Sequence, residues 1–245
     1  MKQFSKNELE RYSRQILLYG KEGQLRFFNT RILVVGTGGL GSSVLPLLAA
    51  SGVGSITVID DDLVERSNLG RQILFDERQL GQPKVQVTRT RLLQLNGDIE
   101  VFTEQARLTP ENGQSLFEQA DLVLEGSDSI ETKFLASDLA IKTQTPLLIG
   151  GLGTVQGHIF PVWPGAACYR CVFEEPPPAG SLLSCATAGV LSSLPAVVGA
   201  MMANLCSLYI AEDARPEKLF LLEQGNWRTL ALKRRNDCAG CSKSA

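Results

Sequence analysis

The sequence predicts an α/β fold: a Rossmann-like, mainly parallel sheet with helices on both faces, extended by antiparallel strands in its C-terminal part and stapled by a zinc site. Three observations carry that prediction. Apolar runs of strand length alternate with segments of helical spacing from Arg31 to Leu152, the pattern of parallel strands joined by crossover helices. The first run ends in a G-x-G-x-x-G loop, Gly36, Gly38 and Gly41, and the next run closes on an acid, Asp60, 19 residues after Gly41. Two C-x-x-C pairs, Cys168/Cys171 and Cys238/Cys241, are separated by 66 residues near the C-terminal end.

The elements follow in order. Residues 1–30 are polar and read as partly helical. "RILVV" is a short buried strand, "GSSVLPLLAASG" a helix, and "SITVID" the second strand. "QPKVQVTRTRLLQLN" places Val85, Thr88, Leu92 and Leu95 on one helical face. "DIEVFTEQ" is a strand. "TPENGQSLFEQA" opens with Thr109 as a cap and Pro110 at the first helical position. "DLVLEGSD" is a strand ending in polar residues, "SIETKFLASDLAIKTQ" a helix and "PLLIGGLG" a strand. After about residue 153 the alternation stops. "TVQGHIFPVW" and "KLFLLEQGNWRTLALKRR" read as longer antiparallel strands with a Pro-rich loop, "EEPPPAGSLLS", between them. No internal repeat is visible, and the chain is expected to form one domain, 1–245, with a nucleotide-binding half (1–152) and a second half (153–245) that carries the cysteine pairs. In an open parallel sheet the ligand lies outside the carboxyl ends of the strands.

With 44% hydrophobic and 20% charged residues over 245 positions, the chain can fill a core. A net charge of −2 supplies no basic field for nucleic acid or an anionic membrane. The first fifteen residues contain no apolar stretch of the kind found in export signals, so the expected location is cytoplasmic. Ala186 to Ala211 has no charged residue, but Thr187, Ser192, Ser193, Asn204, Ser207 and Pro195 interrupt it and no basic flank is present. It is expected to be a helix buried in the core or in a subunit interface, not a membrane span.

The glycine loop permits close backbone approach to phosphate, with a helix N-terminus supplying the positive end. Asp60 can accept from ribose hydroxyls. A diphosphate cofactor is largely satisfied by backbone amides, whereas here Asn68 and Arg71 of "SNLGRQILF", Lys84 of "GQPK" and Arg14 of "RYSRQI" also gather. Asp128 of "LEGSDS" stands at a strand end where a divalent cation can be held. Together they point to a triphosphate. A nicotinamide dehydrogenase and a non-catalytic nucleotide-binding scaffold remain as alternatives.

Each C-x-x-C pair has the spacing with which two thiolates grip one zinc ion, and four thiolates leave no open position for chemistry. Redox dithiols or free thiols are the competing readings of these pairs. Cys185 follows the loop and is a candidate nucleophile. Cys206, inside the apolar segment, reads as inert, and the single histidine, His158, as structural.

"RYSRQI", "GTGGLGS", "DDDLVERSNLGRQILF", "GQPK", "SDS", "CYRC", "CATAGV" and "CAGC" resemble, in order and spacing, the bacterial ubiquitin-activating-like adenylyltransferases of the ThiF/MoeB family. "RQILF" and "WRTLALKRR" look more like the thiamine-pathway branch than the molybdopterin branch. The resemblance implies adenylation, with ATP and Mg2+, of the C-terminal Gly-Gly carboxylate of a small ubiquitin-like sulfur carrier, followed by sulfur transfer from a separate sulfurtransferase or desulfurase. It implies that Gly39 lies against the phosphates, that Asp60 holds the ribose and that Ser67, Asn68, Arg71 and Lys84 surround the nucleotide. It also implies that Asp128, with Ser129 beside it, holds magnesium, and that Cys185 matches a loop cysteine linked covalently to the carrier in the thiamine branch. Arg14 would reach into the partner subunit of a homodimer. The chain departs from the family pattern at Ser127-Asp128-Ser129, usually T-D-N, and at Gly70-Arg71-Gln72, usually Q-R-Q.

Overall fold

A computed structural model describes residues 3–178 and 189–242. The chain opens with two helices, α1 (Lys6–Arg11) and α2 (Ser13–Asn29), the second kinked at Gly20, whose φ is +70°. Strands β1 (Arg31–Val35), β2 (Ser55–Ile59), β3 (Glu100–Glu104), β4 (Leu122–Glu125) and β5 (Leu147–Leu152) are all parallel. Helices α3 (Gly41–Ser51), α4 (Lys84–Leu95), α5 (Pro110–Glu118) and α6 (Ile130–Thr143) connect them. The predicted alternation is present throughout. Thr109 caps α5 by accepting from the Asn112 amide, and Gly52, at φ +78°, ends α3 in the left-handed turn that glycine tolerates.

The sheet continues through antiparallel β6 (Gln156–Val162), β7 (Lys218–Glu223) and β8 (Asn226–Ala231) to eight strands in the order β3-β2-β1-β4-β5-β6-β7-β8. "KLFLLEQGNWRTLALKRR" differs from the expectation. It is a hairpin, not one long strand, because Gln224 (φ +47°) and Gly225 (φ +80°) form a two-residue turn whose twist suits paired strands.

The apolar segment ahead of Ala211 becomes α7 (Leu194–Glu212), 19 residues and apolar enough by length and composition to cross a bilayer. Val198, Met202, Leu205 and Cys206 instead bury against one face of the sheet, in a core shared with α3 and with Phe27 of α2. The other face carries a second core from α5, α6 and the four paired cysteines. Covering both faces explains why the central strands read as unbroken apolar runs.

The chain leaves β1 toward β2 and β3, then returns to β4 on the other side of β1. The loops after β1 and β4 therefore diverge, and the crevice between them is the topological switch point where α/β sheets bind ligands.

Candidate functional site

The glycine loop is locked to its surroundings by backbone contact. Gly36 has φ +88°, and a Cβ there would come within 2.9 Å of the Ser127 nitrogen. A Cβ on Gly41 would lie 2.1 Å from the Gly36 carbonyl oxygen, so α3 can begin this tightly only with glycine. Asp60 fixes the loop from β2: its Oδ2 accepts from the Thr37 amide at 2.7 Å and the Thr37 hydroxyl at 2.8 Å, and Oδ1 accepts from the Asp62 amide at 2.9 Å.

A cavity of about 910 Å³ opens at the switch point, within the range of sites that enclose a small-molecule ligand. Of the residues predicted to bind nucleotide, Gly36, Gly38, Gly39, Asp60, Asn68, Arg71, Lys84, Asp128 and Ser129 line it. Gly41 lies behind the loop. Ser67 contributes its carbonyl, which accepts from Arg71 Nη1 at 2.9 Å. Arg14 is exposed on α2 and does not line the cavity. Cys185 lies outside the described residues.

Lys84 opens α4 behind Pro83 and is buried, with its Nζ donating to Asp62 Oδ2 at 2.7 Å. Asp62 itself is largely exposed, so this lysine faces the cavity on a partner that water or a ligand can replace. Asp61 pairs with Arg107 at 2.8 Å on the same rim. Asp128 is exposed at the end of β4 and, among the described residues, makes no hydrogen bond or ion pair, which leaves its carboxylate able to take a cation. Ser129 caps α6 by accepting from the Thr132 amide at 3.1 Å, so its hydroxyl is committed to starting that helix.

Sequence reasoning missed an ion pair under this loop. Glu125 is fully buried at the end of β4. Its Oε2 accepts from Lys133 Nζ at 2.7 Å, and Oε1 accepts from the Ser127 amide at 2.8 Å and from the Ser127 hydroxyl. Lys133 also donates to the carbonyls of Ser127 and Gly150, each at 2.7 Å. The pair ties the Ser127–Asp128 loop to α6 and β5. Burial pushes the Glu125 carboxyl upward, and Lys133 and Ser127 pull it down. The signal was in the sequence: a glutamate closing an apolar strand is almost never buried without a partner.

The four paired cysteines converge. Cys168, Cys171, Cys238 and Cys241 are all buried, with Sγ–Sγ distances of 3.9 Å (168–171), 3.5 Å (168–238) and 3.6 Å (171–241). Four thiolates about 2.3 Å from one tetrahedral zinc would lie about 3.8 Å from each other, so the donor set fits that ion. The Arg235 amide donates to Cys171 Sγ at 3.4 Å, and Arg170 pairs with Asp138 of α6 at 2.8 Å, tying the first cysteine pair to that helix.

A protein-family model described as the ThiF family matches residues 12–241. The chain belongs to the ThiF family. A "Sulfur carrier protein adenylyltransferase" of Thermus thermophilus is 39% identical over 250 residues, which cover 97% of this chain and 92% of that protein. The "SAMP-activating enzyme E1" of Haloferax volcanii is 39% identical over 199 residues, 80% of this chain and 74% of that one. "Adenylyltransferase and sulfurtransferase MOCS3" of Bos taurus is 39% identical over 98% of this chain, which spans only 54% of MOCS3. The solved structure of E. coli MccB with MccA-N7isoASN shares the fold at a TM-score of 0.83 and 23% identity, over 97% of this chain and 75% of that one. The Thermus and Bos relatives are named for adenylyltransferase activity, and this ThiF-family chain is an ATP-dependent nucleotidyltransferase. The dehydrogenase reading of the glycine loop is thereby set aside.

Proposed function

We propose that this ThiF-family protein adenylates the C-terminal Gly-Gly carboxylate of a small ubiquitin-like sulfur carrier. The observation that carries the proposal is the convergence of Arg71, Lys84 and Asp128 with the glycine loop on one cavity. A carboxylate oxygen of the carrier attacks the α-phosphorus of ATP, the bond to the bridging oxygen breaks, and acyl-adenylate and pyrophosphate form. Arg71 and Lys84 neutralise the negative charge that gathers on the departing pyrophosphate. Magnesium held by Asp128 would add charge neutralisation of the same kind. Zinc on the four cysteines would staple the second half of the chain and take no part in the reaction.

The thiamine-pathway assignment rests on the resemblance of "RQILF" and "WRTLALKRR". Sulfur would come from a separate sulfurtransferase or desulfurase. A homodimer is supported by exposed apolar side chains: Leu17 is 77% and Leu18 71% exposed on α2, and Leu47 and Val197 are exposed on α3 and α7. Arg14 sits on the same helix as the two leucines, and the family resemblance implies that it would reach into a partner subunit's cavity.

Carrier-dependent exchange of pyrophosphate into ATP tests the proposal, with thiamine-type and molybdopterin-type Gly-Gly carriers as separate arms. Exchange with the thiamine-type carrier is the expected result. Exchange with the molybdopterin-type carrier alone reassigns the pathway, and no exchange with any carrier, in zinc-loaded protein, rejects adenylation.

A further inference from the structure

The cavity does not end at the phosphate side. Its lining passes from Ser127, after β4, to Gly151 on β5 and His158 on β6. Gly151 and His158 are direct partners in the antiparallel ladder, and the imidazole fills the space where a side chain at 151 would be: a Cβ there would lie 2.1 Å from His158 Cε1. His158 Nε2 is buried and has no hydrogen-bond partner among the described residues. Lys133 cannot supply one, since its three protons already go to Glu125, Ser127 and Gly150. Burial, with the Lys133 charge adding to it, lowers the imidazole pKa to about 4, so the ring is neutral at pH 7 and one nitrogen donates while the other accepts.

The direction of the cavity identifies what passes the ring. Asp60 lies at the end of β2, on one side of the glycine loop, and a nucleoside bound there extends toward β2 and β3. The side of β4, β5 and β6 is left for the second substrate. Neighbouring strands stand about 4.8 Å apart, so β6 is roughly 10 Å from the end of β4. An extended peptide advances about 3.4 Å per residue. A peptide whose terminal carboxylate sits beside Asp128 therefore passes His158 about three residues upstream.

We infer that His158 is a specificity-determining residue that hydrogen-bonds, through Nε2, a main-chain amide of the carrier's extended C-terminal tail about three residues before its end. This inference rests on the adenylation reading above. The χ2 torsion of a histidine is broad, so the ring can turn its Nε2 edge toward the cavity within one χ1 rotamer. A tail with an ordinary extended backbone satisfies the orphaned nitrogen, and a free amino acid or a nucleotide alone does not reach it.

The test uses pyrophosphate exchange with the carrier that supports it in the wild-type protein. His158→Ala is expected to raise the KM for that carrier about tenfold, the worth of one hydrogen bond in an enclosed site, and to leave the KM for ATP unchanged. His158→Gln, which keeps a donor and an acceptor, is expected to restore most of the loss. Gly151→Ala, which displaces the ring, is expected to reproduce it. His158 is the only histidine in the chain, so 15N-histidine labelling of the untagged protein gives one imidazole to observe. Its Nε2 resonance should move when the carrier is added and stay in place with ATP alone. An unchanged carrier KM in both His158 variants, or an Nε2 resonance that ignores the carrier, overturns the inference while leaving adenylation intact. A rise in the KM for ATP instead of the carrier also overturns it. No exchange in the wild-type protein rejects adenylation and this inference with it.

Discussion

The cavity holds two lysines buried to nearly the same degree, and they are held in different ways. The side chain of Lys84 is 4% exposed and that of Lys133 is 6% exposed. Among the described residues Lys84 has one side-chain acceptor, the carboxylate of Asp62, which is itself 58% exposed. Lys133 has three acceptors, one of them the fully buried Glu125. A buried charge whose donors are all taken within the protein is a structural tie, because releasing it strands the partner. A buried charge held by one solvated partner can exchange that partner for phosphate. Burial alone therefore does not distinguish a ligand-binding cation from a scaffold cation; the count and burial of its partners do.

The comparison can be broken by exchanging the roles. Lys133→Ala leaves Glu125 buried without its counter-charge, and we expect a loss of about 3–5 kcal/mol in unfolding free energy, read by denaturant titration. Lys84→Ala is expected to leave stability within about 1 kcal/mol and to lower the rate of carrier-dependent exchange by roughly 10²–10³, since a preorganised positive group leaves the developing charge. If Lys84→Ala unfolds the protein and Lys133→Ala only slows it, the distinction is wrong.

The cysteine cluster sharpens the contrast between scaffold and site. Stripping the zinc these thiolates would hold with a chelator, or making Cys238→Ser with Cys241→Ser, should open a loop of 66 residues between Cys171 and Cys238, with a loss of about 4 kcal/mol from chain entropy. ATP affinity measured on the still-folded fraction should not change.

The smallest expected effect is pH-dependent and belongs to His158. Its folded pKa lies near 4, below the ordinary histidine value, so the neutral ring contributes stability that is complete above about pH 6.5 and is lost as pH falls toward 4. At pH 5.5 the cost should be about 1 kcal/mol, and His158→Gln should remove that part of the acid slope. An identical slope in the variant would show that the ring is not held neutral.

Much of the scaffold was legible because it is written in local patterns. The strand and helix alternation and the Thr109 cap are decided by residues within a turn or two of each other. The glycine loop was legible for the same reason: Gly41 has to be glycine because Gly36, five residues earlier, occupies its side-chain space. The β7–β8 hairpin is not legible in the sequence, because Gln-Gly is a weaker turn signal than Asn-Gly, and only the positive φ of Gln224 shows it. Glu125 shows in the sequence only as a polar strand end, since its partner is on the next helix and its other contacts are on the loop between.

The sequence by itself determined the alternating elements from β1 to β5, their order, the glycine loop and the two cysteine pairs, because each depends on residues close together along the chain. Only the tertiary structure decided that β4 returns beside β1 to open the crevice and that Asp60 holds Thr37. It alone also decided that Lys84 and Lys133 have different partners, and that the histidine lies in the same cavity with a nitrogen that has no partner among the described residues. These are contacts between segments distant in sequence, and their energies depend on burial and on which acceptors happen to face each donor, neither of which periodicity or spacing encodes.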